Sequence, residues 1–173
     1  WRSVGESLPT QAVGSVAVVD RSGGKRLLAL TGDDVFGGGT TYSGVGVWSS
    51  DDDGATWQHS TGVPDAALGF RLKIVPGTDD VYAATGKGLY RSTDGGLTFS
   101  RMTLPTGCED LANPDCFLAN MVTDVAVKVP GGVPSATPST VQVVAAVGWR
   151  AGNKESVDGD HVDPPLIRPV QGL

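Results

Sequence analysis

The sequence predicts an all-β protein: a β-propeller of four-stranded antiparallel blades with motif-bearing hairpins, about two and a half blades of it present. Three observations carry this. Short Val-rich segments such as "SVAVVD", "RLLALTG", "DVYAATG" and "VQVVAAVG" are bounded by Gly, Pro, Asp or Ser, and none grows into a long amphipathic helix. These segments recur with a period of about 40 residues, roughly four strands to the unit, which is the spacing of propeller blades. Finally, "SDDDGATW" (Ser50 to Trp57) matches "STDGGLTF" (Ser92 to Phe99) at Ser, Asp, Gly, Thr and the aromatic residue.

Taken from the N-terminus, "WRSVGESLP" aligns with "WQHSTGVP" and "FSRMTLP", the segments that follow each motif. Residues 1–10 are therefore expected to be the outer strand of a preceding blade. Residues 11–62 make a full blade, with "SVAVVD", "KRLLALTG" and "GVGVWS" as its inner three strands. Residues 66–104 repeat that order with "RLKIVPG", "DDVYAATG" and "GKGLYR". Residues 120–173 begin again with "DVAVKVPG" and "VQVVAAVG", and "PVQGL" stops where a third motif would follow, so this blade is expected to be incomplete. Closed propellers hold roughly four to eight blades. Further blades, from the same or another chain, are expected to complete the disc, because an open stack exposes long apolar sheet edges.

The acidic run "SSDDDGATW" poses a choice between a metal loop, a catalytic cluster and a turn. Comparison with the second motif favours the turn. Asp52 and Asp94 are expected to accept hydrogen bonds from turn amides, as short Asx side chains do, with Ser50, Thr56, Ser92 and Thr98 completing the pattern. Gly54 and Gly96 supply a backbone geometry that a side chain would oppose. Trp57 and Phe99 are expected to pack beneath the hairpins. Asp51 and Asp53 are expected to be solvated neighbours, since Thr93 and Gly95 replace them in the second motif.

The form Ser-x-Asp-x-Gly-x-Thr-Trp/Phe resembles the Asp-box, or BNR repeat, of sialidase-like β-propellers. The resemblance covers nearly the whole chain and implies the fold. It implies no single activity, because the box occurs in sialidases, xyloglucan-cleaving endoglucanases, sortilin-type receptors and photosystem assembly factors.

Charge and cysteine usage narrow the function classes. The net charge of −6 and the 13 scattered basic residues argue against a nucleic-acid partner, which needs clustered Lys and Arg. No apolar stretch reaches membrane-spanning length. Cys108 and Cys116 lie in "GCEDLANPDCF" with too few neighbouring Cys or His for a metal site, so a local disulfide is expected, with two free thiols as the alternative. A disulfide implies an oxidising compartment, hence an extracellular or cell-surface location, with the periplasm as the alternative.

Long insertions point to a working face. "DDVFGGGTTYS" (33–43), "TGCEDLANPDCFLAN" (106–120) and "RAGNKESVDGDHVDPPLIRPV" (150–170) are expected opposite the boxes, and "PGGVPSATPST" (130–140) on the box side. Loops grouped on one face of a rigid scaffold are where binding collects. The resemblance implies the same face, since sialidase-like active sites lie opposite the boxes. Candidate ligand-face residues are Asp33, Asp34, Tyr42, Trp149, Asp158, Asp160 and His161. Asp158, Asp160 and Asp163 are hard ligands of the kind calcium takes, weighed against a solvated acidic loop. The glycine and distal Glu of an EF-hand are missing, and Pro169 stands twelfth from Asp158. No other cofactor is expected.

Catalytic residues are not assignable. Glycoside hydrolysis needs two carboxylates across the sugar, or a Tyr nucleophile with a carboxylate partner. "GFRLKIVP" places Arg71 where a sialidase-like segment would need a following Pro, and "TTYSGVGVW" and "AATGKGLYR" carry no acid before the third strand. The expected function is a recognition or scaffold module for a glycan or protein partner. Alternatives are part of a glycoside hydrolase whose catalytic residues lie mostly outside this segment, and a structural subunit of a cell-surface assembly.

Overall fold

A computed structural model describes residues 3–34, 41–106, 110, 112–113, 116–129 and 141–148. The protein is all-β and propeller-like, built of antiparallel sheets. In the first sheet, β1 (Val13–Arg21) and β2 (Gly24–Thr31) lead past a short insertion hairpin, β3 (Asp33–Asp34) and β4 (Thr41–Tyr42), to β5 (Val47–Ser50) and β6 (Gln58–His59). Its spatial order is β1-β2-β5-β6. The second sheet runs β7 (Gly69–Ile74), β8 (Val81–Thr85), β9 (Gly88–Ser92) and β10 (Ser100–Arg101), again each strand beside the next. One helical turn, α1 (Phe117–Asn120), precedes a third unit of two strands, β11 (Val122–Lys128) and β12 (Gln142–Val147). Among the described residues, four, four and two strands make about two and a half blades. Ser3 to Thr10 is turn and irregular backbone. Among the described residues, no helix is long and apolar enough to cross a membrane.

Alternation along the strands decides how the sheets stack. Side chains two apart share a face, so the second sheet presents Leu72, Val81, Ala83 and Tyr90 to one side and Tyr82, Ala84 and Leu89 to the other. The first set joins Val19, Leu28, Leu30, Val47 and Phe99 in the core between the first and second sheets. The second set joins Val75, Val122 and Val125, with Val127, Val143 and Ala145 packed alongside, in the core between the second sheet and β11–β12. The second sheet is therefore apolar on both faces, as a blade inside a stack must be. Each buried Val or Leu contributes about 1.5–3 kcal/mol of burial free energy.

The units are copies in detail. Each inner strand pair slips register at the same point: between Val13 and Ser15, Gly69 and Arg71, and Val122 and Asp124. The matched registers make Val16, Leu72 and Val125 equivalent, since they pair with Ala29, Ala83 and Ala145. Equally, Thr31 Oγ1 donates to Gly46 O (2.7 Å) and accepts from Val45 N (2.7 Å), while Thr85 Oγ1 donates to Gly88 O (2.8 Å) and accepts from Lys87 N (3.1 Å). The same hydroxyl clasp closes the β2–β5 and β8–β9 connections.

Neighbouring units are also tied by polar contacts. Leu72 N donates to Ser15 Oγ at 3.0 Å, and Arg71 Nε donates to Asp124 Oδ1 at 3.0 Å. Thr61 N donates to Leu97 O, and Phe99 N to Thr61 O, both at 2.9 Å, so the chain leaving the first sheet is stitched to the second motif. Cys116 is buried and disulfide-bonded; Cys108 lies outside the described residues.

Candidate functional site

The two motif hairpins have nearly the same hydrogen-bond pattern. Ser50 Oγ donates to Asp52 Oδ1 (2.8 Å) and accepts from Gly54 N (2.9 Å); Thr56 N and Oγ1 donate to the two Asp52 oxygens at 2.8 and 2.7 Å. In the second hairpin Ser92 Oγ donates to Asp94 Oδ1 (2.6 Å) and accepts from Gly96 N (2.8 Å). Leu97 N and Thr98 N donate to Asp94 Oδ1 at 3.0 Å, and Thr98 Oγ1 to Oδ2 at 2.6 Å. Both carboxylates accept from hydroxyls and amides of their own hairpin and so close its turn.

Their acidity follows. Hydrogen bonds from the Thr56 hydroxyl and amide and from Ser50 hold Asp52 down at about 2. For Asp94, burial pushes the carboxyl up, but donors from Ser92, Thr98 and Leu97 outweigh it and bring it to about 2. The aromatic residues differ in setting: Phe99 is buried between the sheets, whereas Trp57 is half-buried and donates from Nε1 to Val4 O at 2.7 Å.

Asp51 is not simply solvated. Arg26 grips it with two prongs, Nε to Oδ1 at 2.8 Å and Nη2 to Oδ2 at 2.7 Å, and Arg21 adds a third contact at 3.1 Å. The Arg26 hydrogen bond draws the Asp51 carboxyl below its ordinary value. The remaining Arg26 nitrogen, Nη1, reaches the carbonyls of Asp94 and Gly95 at 3.2 and 3.3 Å. This cluster joins one hairpin to the next and is structural.

The opposite end of the sheets carries the insertion. β5 runs from Val47, paired with Leu30, to Ser50, paired with Leu27. The motif therefore sits at one end of these strands, and residues 32–34 and 41–46 at the other. There, four backbone segments converge. Gly32 N donates to Ala12 O, Gly44 N to Ala67 O, Ala66 N to Gly44 O and Gly69 N to Gly32 O, all between 2.8 and 3.3 Å. The approach is so close that a Cβ on Gly14 would lie 1.8 Å from Gly69 O, and one on Gly44 2.3 Å from Thr31 O. Only glycine lets backbones meet at that distance.

From this junction rises β3–β4, in which Asp33 stands directly opposite Tyr42 and Asp34 opposite Thr41. Cross-strand partners share a face of the ribbon, their Cβ atoms about 5 Å apart. Asp33 is half-buried, and Tyr42 is 54% exposed. The structure thus brings two of the sequence-derived candidates together. Trp149, Asp158, Asp160, His161 and Asp163 lie outside the described residues, as does the 130–140 loop. Among the described residues, no group of three or more His, Cys, Asp or Glu side chains is placed to hold a metal ion.

Two features at this end carried no clear sequence signal. His59 is exposed and packs on Trp48, its cross-strand partner, with ring centroids 5.1 Å apart. Asn120 is buried, accepts a hydrogen bond from Arg101 Nη2 and donates to Cys116 O at 3.0 Å, which pins the helical turn to β10.

No family model matches the chain. No curated protein matches it either. Among solved structures, an ancestral GH74 enzyme is similar at 28% identity with a TM-score of 0.42, over 53% of this chain. The chain spans 13% of the length of that enzyme.

Proposed function

We propose that this segment is part of an exported propeller of the Asp-box, sialidase-like kind, and that the sheet ends opposite the boxes recognise a glycan. The observation that carries the reading is the pairing of Tyr42 with Asp33 on a hairpin rooted in the glycine junction. A solvent-facing aromatic ring offers a flat apolar surface for the C–H face of a sugar, and a neighbouring carboxylate accepts from its hydroxyls. A rigid root lowers the ordering cost of binding. The disulfide at Cys116 supports an oxidising, extracellular or cell-surface setting.

The test is affinity gel electrophoresis of the full chain through gels containing xyloglucan, a β-glucan or a sialylated glycoprotein. At least one should retard the protein, and Tyr42→Ala should weaken that retardation by about tenfold, or about 1.4 kcal/mol. Asp33→Ala should weaken it less. A chain that no probe retards, or a Tyr42→Ala variant retarded like its parent, overturns the reading.

A further inference from the structure

The motif hairpins hold two Asp–Gly pairs, Asp53–Gly54 and Asp94–Gly95; a third, Asp158–Gly159, lies outside the described residues. Such a bond is open to isomerisation, because glycine has no side chain to hinder attack by its own amide. The glycine nitrogen adds to the Asp Cγ, so that one C–N bond forms and one C–O bond breaks. The carboxyl hydroxyl leaves as water with the amide proton. Water then opens the cyclic imide, and opening at the former main-chain carbonyl gives isoaspartate. The reaction thus needs an amide released from its partners and an accessible carboxyl.

The two hairpins guard these bonds differently. In the second, Asp94 is itself the box carboxylate, and Ser92, Leu97 and Thr98 hold both its oxygens. Burial pushes this carboxyl up, yet the donors bring it to about 2 and keep it ionised. Its glycine is secured too, since Gly95 N donates to Asp79 O at 2.9 Å. In the first hairpin the box carboxylate is Asp52, so the residue before glycine is the exposed Asp53, left-handed at φ 56°. Here the guard is on the nitrogen. Gly54 is buried, its N donates to Ser50 Oγ at 2.9 Å, and a Cβ on it would lie 2.6 Å from Val4 Cβ. We propose that Asp53 is a site of isoaspartate formation gated by the Ser50 hydroxyl, the reaction waiting until the Gly54 amide leaves that oxygen. Isoaspartate adds one carbon to the main chain of the β5–β6 turn, two residues from the Asp51 that Arg26 grips.

The experiment ages the full chain at neutral pH for several weeks and quantifies isoaspartate at Asp53 and Asp94 by peptide mapping. A synthetic peptide of residues 49–57 is the unguarded reference. Isoaspartate at Asp53 should form at least about tenfold more slowly in the chain than in the peptide, with Asp94 slower still. Ser50→Ala should speed the Asp53 reaction about tenfold over the parent, through loss of the one hydrogen bond that holds the amide. Thr56→Ala removes a donor to Asp52 but leaves the Gly54 amide bound, so it should stay within about twofold of the parent. Circular dichroism checks that each variant folds. If Ser50→Ala does not, hydrogen exchange of the parent decides, and its Gly54 amide should exchange at least about tenfold more slowly than in the peptide. Exchange at the peptide's rate overturns the proposal, and so does a parent that isomerises as fast as the peptide. A folded Ser50→Ala no faster than the parent, a Thr56→Ala as fast as Ser50→Ala, or Asp94 outpacing Asp53 overturns it as well.

Discussion

Arg26 and Asp51 form a two-pronged ion pair in which the guanidinium is almost wholly buried and the carboxylate is largely open to solvent, with side-chain exposures of 3% and 60%. The pair holds a cation in place so that its third nitrogen can satisfy two carbonyls of the adjacent sheet. Planar, forked geometry is what the task needs, and lysine lacks it. Arg26→Ala should therefore destabilise the chain by about 2–4 kcal/mol, because it orphans carbonyls at a sheet interface as well as removing an ion pair. Arg26→Lys should recover less than half of that. Urea midpoints of the three proteins decide it.

The acid limb of the stability profile should belong in part to the box carboxylates. Asp52 and Asp94 have folded values near 2, below the ordinary aspartate value of 3.8. A depressed folded value means that the stabilisation is fully present above the unfolded value and is lost as pH falls through the folded one. The stability gap between the parent and Asp94→Asn should accordingly be constant from about pH 7 to pH 5, then shrink between about pH 4 and pH 2. Denaturant melts at these pH values, run on both proteins, test the slope; a gap that widens on acidification would contradict it.

The glycine junction makes a contrast within one residue type. Gly14→Ala drives a methyl group into the Gly69 carbonyl and should cost about 3 kcal/mol or more. Gly23→Ala, in the β1–β2 turn, meets nothing within 4 Å and should stay within about 0.5 kcal/mol of the parent. Thermal melting of the two variants side by side is sufficient.

Thr31→Val and Thr85→Val each delete a buried hydroxyl that both donates and accepts. Each should cost about 1–3 kcal/mol. The two clasps lie in different sheets and their hydroxyls have no hydrogen-bond partner in common, so the double variant should equal the sum of the singles within about 0.5 kcal/mol. A double-mutant cycle by chemical denaturation measures this.

Strands were legible in the sequence because alternation and period are local. A Val-rich run between Gly and Asp needs no distant partner to be recognised, and two copies of one motif fix the repeat. What escaped depends on register between sheets. Arg26 carries no local mark of its role, and its equivalent in the second unit, Asp80, pairs instead with Arg91 within its own sheet. Asp51 looked redundant because the second motif has Thr93 there, yet the first unit has an arginine, Arg26, at a register position where the second has Asp80. At the candidate site, loop length marked Asp33 and Tyr42 for attention, but their standing opposite one another is a fact of strand pairing that residue types alone do not reveal.

The hydroxyl clasp has a consequence for how this surface changes over time. In the second unit it closes between Thr85 and Gly88, three positions apart; in the first it closes between Thr31 and Gly46, fifteen apart, with the same partners. Lengthening a closed loop costs little, about 0.6 kcal/mol for each doubling. The clasp thus works as a socket of fixed gauge into which segments of any length can be spliced. Transplanting residues 33–43 into the Gly86–Lys87 turn should leave the recipient blade folded, so lineages carrying this scaffold are free to exchange recognition loops without rebuilding what holds them.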